Sequence, residues 1–494
     1  MMVFTKPFSI LCETFHGNEV KNLKVIQTSF SLLSKDRFLR NDEKYQDMVI
    51  TNGNNIFGTP ISKNVLLSDV LEEDYETFLY EEETKYKGIP TGQTYIDEDG
   101  DIVDFQTVTL NDHPGRIKYR ISNENILISS LRLAKSPALM FDKLDLSEYV
   151  FSNGFYVFKV KNGWDKHFVL YMLRSKKLKN LLDNHIYRGI GISAYRVEDL
   201  LKCEIRKVSL DNQKIALEAI KPFEHEIRSL KSTVKKSQDI IDEVFANEFN
   251  FDYETFCKLK KIKRYTSNHY AFSNNPDLRF SAKFHRQAGD FVLNQLVSLT
   301  DKKIKHYIAE PIVLGASVSP EDYSDNGDCY YISMATIKGW KFNPEGANTV
   351  SKCYSDAKSE KTVKKDDIIL ARSGEGTIGK VALIDNDDVN GVFADFTMRI
   401  RLKNYNPEFA YYYFRTSYFQ YLIEVYKKGL GNNTNIFPIV VREFPMLDIS
   451  LDEQQRIVDE IHSEISKQDE IKSKIVELRS KIDEIIEGII ASDD

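Results

Sequence analysis

The chain states one pattern twice, about 241 residues apart, which calls for two copies of a single globular unit. Asn153-Gly-Phe155-Tyr-Val157 lines up with Ala394-Asp-Phe396-Thr-Met398, and Tyr171-Met-Leu-Arg174-Ser175 with Tyr412-Tyr-Phe-Arg415-Thr416. Asp211-Asn-Gln213 matches Asp452-Glu-Gln454. Asn125-Ile-Leu-Ile128 and Asp367-Ile-Ile-Leu370 keep step at 242, as do Arg37-Phe38 and Arg279-Phe280. A repeat this long exceeds any solenoid period, so it is a domain plus a connector, copied. Such a duplication implies a target with two related parts.

The 494 residues give a length prior of roughly three domains, and the duplication argues for two, each with a helical appendage. With 30 Phe and 26 Tyr there is ample material for buried cores. Five scattered cysteines (Cys12, Cys203, Cys257, Cys329, Cys353), none in CxxC spacing, read as reduced thiols of a cytoplasmic protein, neither disulfide frame nor zinc site. No apolar run reaches transmembrane length, and Glu13 follows the short stretch Phe8–Cys12, against a signal peptide. Net charge is −7, but residues 452–494 hold 13 acidic and 6 basic side chains, so the remainder is neutral overall. Distribution, not net charge, therefore decides whether nucleic acid can bind.

Residues 1–208 read as a mixed α/β domain, with strands at Ile126–Ile128 and Gly154–Phe158, turn chemistry from Gly92 to Ile102, and an amphipathic helix from His167 to Leu182. Residues 251–450 repeat this, with strands at Asp366–Leu370 and Val381–Ile384 and a helix from Pro407 to Tyr426. Between them, residues 209–250 predict one helix: Ile220, Phe223, Ile227, Leu230, Val234, Ile241 and Val244 fall at heptad a and d positions, broken at d by Ser237. Residues 451–494 predict a second, with Ile461, Gln468, Ile475, Ile482 and Ile489 at a and Ile471, Leu478 and Ile485 at d. Gln468, the single polar a residue, is the device expected to fix register. Exposed isoleucine seams need a partner, and packing the two helices against each other as an antiparallel coiled coil supplies one.

Catalytic motifs fail on context. Gly374-Glu-Gly-Thr-Ile-Gly379-Lys380 has P-loop spacing, but Val381 stands where magnesium needs Ser or Thr, and β-prone residues follow where a helix belongs. The segment reads better as strand–loop–strand, with glycine amides and the cations Arg372 and Lys380 suited to a phosphate backbone. A plain solvated hairpin explains it equally well. Asn432, Asn433 and Asn435 can reach base edges or merely form turns, and the counterpart Arg188-Gly-Ile-Gly191-Ile-Ser193 keeps the glycines without the asparagines. The histidines form no HxH or HExxH pair, and neither an amino-methyltransferase (N/D)PP(Y/F/W) loop nor a GxSxG elbow is present.

In order and in duplicate, these blocks resemble the specificity (S) subunit of type I restriction–modification systems. Asp367-Ile-Ile-Leu-Ala-Arg372-Ser-Gly374 with Thr377-Ile-Gly379-Lys380 is similar to the strand-and-loop signature of that family's target recognition domains, as are Gly391–Phe396 and Tyr412–Ser417. Leu451-Asp-Glu-Gln-Gln-Arg-Ile457 looks like the LxEQxxI opening of its spacer helix. Two departures stand out: Ser129-Ser-Leu-Arg132 lacks its partner's glycines, and the first 60 residues match poorly apart from Arg37-Phe38.

The resemblance implies an α/β (mixed α+β) chain: target recognition domains at 1–208 and 251–450, spacer helices at 209–250 and 451–494. It implies a non-catalytic subunit that binds a bipartite site on double-stranded DNA and docks two methyltransferase (modification) subunits and restriction/translocase subunits. Those partners would carry S-adenosylmethionine, ATP and Mg, with none of them on this chain. Carried over residue by residue, the DNA-side candidates are Arg372, Ser373, Gly374, Thr377, Lys380, Asn432, Asn433 and Asn435. In the first domain they are Ser129, Ser130, Arg132, Lys135, Arg188 and Ser193. The helix-pairing candidates are Ile220, Ile227, Leu230, Val234, Ile241, Ile461, Ile471, Ile475, Leu478, Ile482 and Ile485. A type IIB-like specificity subunit, a P-loop nucleotide-binding protein and a coiled-coil scaffold for proteins are the alternatives.

Overall fold

Asn125–Ser129 and Ile368–Ala371 are runs buried at every position, as a strand covered on both faces requires. In the computed structural model each pairs antiparallel with the next apolar run, Phe155–Val160 or Thr397–Ile400. The described residues are 8–12, 24–28 and 64–491, apart from 93, 132–133, 183–193, 268–269, 271–278, 280, 326, 328, 375 and 430–432. Arg37, Phe38, Phe280, Arg132, Arg188, Ser193 and Asn432 lie outside them.

The two hairpins share one register. Ser129 faces Phe155 and Ala371 faces Thr397, so both partners are displaced by 242 positions. This corrects the alignment read from sequence: the counterpart of Phe155 is Thr397, and Phe396 corresponds to Gly154. A one-residue slip exchanges the two faces of a strand, and accordingly Phe155 is 2% exposed while Phe396 is 45% exposed. The residue that changes the offset to 241 is lost later, before the helix caps Asp165 and Asn406.

A second layer repeats as well. Tyr149–Ser152 runs parallel to Tyr86–Ile89, and Gly391–Phe393 parallel to Cys329–Ile332. Gln106–Val108 and Thr349–Val350 close the outer sides antiparallel. The expected helices His167–Leu182 and Pro407–Tyr426 are each interrupted. Lys166–Arg174 is followed by Lys176–Leu181, and Pro407–Arg415 by Ser417–Tyr426. Ser175 and Thr416 leave helical geometry, and their hydroxyls cap the next segment by accepting from the amides of Leu178 and Phe419.

The chain forms two compact units, residues 1–232 with 473–494, and residues 233–472. They cut through the helices, unlike boundaries at 208, 250 and 450. The tail is one helix, Leu451–Ala491, whereas the expected single helix over 209–250 is two, Leu210–Thr233 and Ser237–Phe249. Within the first unit, Arg206 donates to the carbonyls of Ile490 and Ala491, while Lys231 and Arg479 share Asp99, so the helical segments run antiparallel. Within the second, Lys235 meets Gln468 and Glu248 meets Arg456, again antiparallel.

Ile220, Ile227, Ile241, Ile461, Ile475, Leu478 and Ile482 are buried, while Leu230, Ile471 and Ile485 are partly exposed. Val234 is 37% exposed, because it falls in the interruption and has no helix face to pack. After Ile482 the buried seam passes to Ile486 and Ile490 in place of Ile485 and Ile489. A straight helix drifts by ~20° per heptad, and steps of four absorb that drift. Gln468 does more than occupy a seam position: its Oε1 accepts the Lys235 amide at 2.8 Å, satisfying a donor exposed by the break.

Both spacer segments begin at a buried glutamine. Gln213 accepts from the amide of Asp165 at 2.6 Å and donates to the Val208 carbonyl at 2.9 Å. Gln454 accepts from the amide of Asn406 at 2.8 Å and donates to the Ile449 carbonyl at 2.8 Å. Each therefore ties its long helix to the N-cap of an earlier helix of the same unit, which gives the repeated Asp-x-Gln block a structural reason.

Candidate nucleic-acid interface

The end of the central hairpin places the candidate loops. Ala371 closes the strand, Arg372 leaves it, and Gly374, Gly376 and Gly379 adopt φ of +85°, +82° and +87°, a backbone suited to glycine. Gln420 fixes the far end, donating to the carbonyls of Gly379 at 2.8 Å and Phe414 at 2.7 Å. The next element is the strand Val381–Leu383, antiparallel to Ile368–Ala371. A strand and not a helix follows Lys380, so the phosphate cradle of a P-loop does not form here.

The asparagine loop is bridged to this one. Ser373 pairs with Asn435, which also pairs with Lys428. Arg372 donates from Nε to the Asp395 carbonyl at 2.9 Å and from Nη1 to Oδ1 of Asn435 at 3.3 Å. Two loops 60 residues apart in sequence thus form one surface carrying Arg372, Asn435 and the exposed Asn433. The first unit builds the same bridge, Leu131 with Ala194, and its Ser130 occupies the place of Arg372.

Not every candidate reaches that surface. Ser129 is 1% exposed within its strand, and Ser373 is 6% exposed with its hydroxyl donating to the Thr434 carbonyl, so neither side chain is presented to a duplex. Thr377 turns inward, its hydroxyl donating to the Ser373 carbonyl at 2.8 Å. Ser130 donates to the Gly154 carbonyl at 2.8 Å. Lys135 faces Glu98 at 3.7 Å instead of the loop surface. Lys380 is half-buried beside Gly379. The motif's leading polar residue is structural too: buried Asp367 takes a two-pronged contact from Arg401 at 2.6 and 2.7 Å, and its counterpart Asn125 bonds Asp74, which pairs with Lys159.

A second repeated feature went unread in the sequence, although it lay inside a matched block. Arg174 and Arg415 end equivalent helices, and each faces the hairpin that precedes the central strand. In the first unit the hairpin tip carries Asp97, Asp99 and Asp101. Lys231 sits among them at 2.6, 2.9 and 2.7 Å, and Arg479 grips Asp99 with two bonds, at 2.8 and 2.6 Å. Burial works against the Lys231 charge, but bonds to the three carboxylates outweigh it and hold the ammonium above its ordinary range. Burial pushes the Arg174 guanidinium down to about 10 despite the same carboxylates. In the second unit the tip is Gly339-Trp340, both at positive φ, as a tight two-residue hairpin demands. Trp340, Tyr411 and Tyr412 surround Arg415 at 5.4, 5.1 and 5.7 Å from their ring centres, beside a cavity of about 850 Å³.

Among the described residues no group of His, Cys, Asp and Glu is arranged to hold a metal, and no helix is long and apolar enough to cross a membrane.

Residues 312–478 match the family model for the type I restriction modification DNA specificity domain. No curated protein matches significantly. Among solved structures, the chain is similar to one described under the structural basis of complex assembly and conformational transition of the type I R-M system, at 14% identity, covering 86% of this chain and 96% of that one, with a TM-score of 0.45. It is similar to the HsdS subunit from Thermoanaerobacter tengcongensis (14% identity, 87% and 97% covered, TM-score 0.32). The type I restriction-modification S subunit from M. genitalium is a third (14% identity, 87% and 96% covered, TM-score 0.38). The domain match spans both bridged loops, the Arg415 cage and most of the terminal helix. Residues 312–478 are therefore similar to a type I restriction modification DNA specificity domain.

Proposed function

We propose that this chain reads a two-part site on double-stranded DNA, one part through each unit, within a type I restriction–modification complex. The observation that carries the reading is the repeat itself. Both units keep the same strand register and the same loop bridge, yet set different side chains on the bridged loops: Arg372 and Asn435 in one, Ser130 and Ala194 in the other. A fixed scaffold with exchanged loop chemistry suits two different short sequences.

In this reading the long helices set the distance between half-sites and offer the surface on which two methyltransferase subunits dock, with restriction/translocase subunits joining them. S-adenosylmethionine, ATP and magnesium belong to those partners, the chain itself catalyses nothing, and the assembly works in the cytoplasm. The domain boundaries at 208, 250 and 450 remain the natural joints for exchanging one head without the other.

Mapping methylated bases in the source genome, with the chain present and deleted, tests this directly. A two-part motif that disappears on deletion is expected. An unchanged methylation pattern, or loss of a single undivided motif, would overturn the two-headed reading. Inserting one heptad between Ile461 and Ile482 should alter the preferred spacer or abolish assembly while both units stay folded.

A further inference from the structure

Two exposed aromatic rings of the second unit stand beside a restrained cation. Phe396 is 45% and Phe437 is 39% exposed. Arg372 lies between them, 5.8 Å from the Phe396 ring centre and 6.0 Å from that of Phe437. Its Nε and one Nη1 hydrogen are taken by Asp395 and Asn435. Among the described residues, three of its five N–H groups remain outside those bonds, at the end of a guanidinium already fixed in plane.

Resting on the DNA-recognition reading above, we infer that Arg372 reads a guanine from the major groove, and that Phe396 and Phe437 form the apolar wall meeting the neighbouring base. A planar fork held at its near edge presents paired donors at its far edge, the pattern that matches O6 and N7 of guanine. An arginine serving only as a phosphate contact has no need of two carbonyl-type anchors and two flanking rings. Exposed rings next to that fork suit a thymine methyl group or a base edge, which are the apolar features of the groove. The first unit has Ser130 and Gly154 at the corresponding places, so this reader belongs to one half-site only.

The test is binding of the full chain to duplexes carrying the two-part motif, with each base pair of each half-site replaced in turn. One G·C pair in one half-site should lower wild-type affinity roughly 10- to 100-fold when replaced. Arg372→Ala and Arg372→Lys should both erase that discrimination while the salt dependence stays nearly constant; the lysine variant keeps charge and stem, and circular dichroism confirms its fold. Phe396→Ala and Phe437→Ala should each weaken the same discrimination by a smaller factor. The assignment is overturned if Arg372→Ala weakens every sequence equally with a shallower salt dependence, the mark of a phosphate contact. It also falls if the G·C preference persists in that variant. Wild-type chain lacking any sequence selectivity would sink the recognition reading as well, so the two failures are distinguishable.

Discussion

Arg174 and Arg415 occupy the same place in two copies of one scaffold, but the hairpins they face are opposite in chemistry. The first faces a hairpin of aspartates already gripped by Lys231 and Arg479, and the second lies among Trp340, Tyr411 and Tyr412. One copy holds its hairpin against the helices by charge, the other by aromatic packing. Backbone hydrogen bonding thus fixes what must be shared, while side chains at one joint were free to change their chemistry. A charge clamp weakens with salt and acid; an aromatic one does not.

The largest expected effect tests what is shared. Gln213→Ala and Gln454→Ala should each cost about 3 kcal/mol, because each strands a buried cap amide and a carbonyl. Thermal unfolding with hydrogen exchange on each unit checks this; a loss in one copy only would break the equivalence. Next comes Lys231→Met, which leaves clustered carboxylates without their ammonium and should cost the first unit about 2 kcal/mol, less than a fully buried pair would. Exchange protection of Leu210–Thr233 should fall, and wild-type sensitivity to salt in that segment should vanish.

Acid provides a third test. Burial opposes the ionised form of Asp99, but bonds from Arg479 and Lys231 win and hold its carboxyl below the ordinary range. Its contribution is therefore complete above about pH 4 and disappears as pH falls through the lower folded value. The first unit should loosen in acid before the aromatic joint of the second does. The smallest effect has the opposite sign. Burial, opposed by Lys176 and aided by Glu487, pushes the Asp483 carboxyl up to about 6, so its charge weakens the fold at neutral pH and stability rises as pH falls through 6. Asp483→Asn should stabilise the first unit by about 1 kcal/mol at pH 7, after allowance for solvent screening, with no gain at pH 4.

Much of this was readable in the sequence. Periodicity located the central strands, since Ile126–Ile128 and Ile368–Leu370 are apolar on both faces, and the duplicated blocks located equivalent helices. The bridged loops were also named, although Ser373 and Thr377 face inward because a hydroxyl near a turn finds a carbonyl sooner than a ligand, and Ser129 lies within a buried strand. Phe396 escaped notice because it was matched to the buried Phe155, and only the strand register separates them. Helix interruptions were hidden as well: heptad counting runs through Val234 without registering that no seam continues there. The hairpin tips differ, Asp97, Asp99 and Asp101 against Gly339-Trp340, so the joint they form could be recognised only once Arg174 and Arg415 were in place.

The Gln468 side chain has a further implication for inheritance. It serves a single amide, that of Lys235, 233 positions earlier in the chain. Close the gap at 234–236 into unbroken helix, and the glutamine becomes a buried polar group with nothing to bind; substitute an isoleucine there, and the gap is left with an unmet donor. Either change alone is harmful, and both together restore a dry seam. Descendants of this chain should accordingly keep or lose the break and the glutamine as a pair.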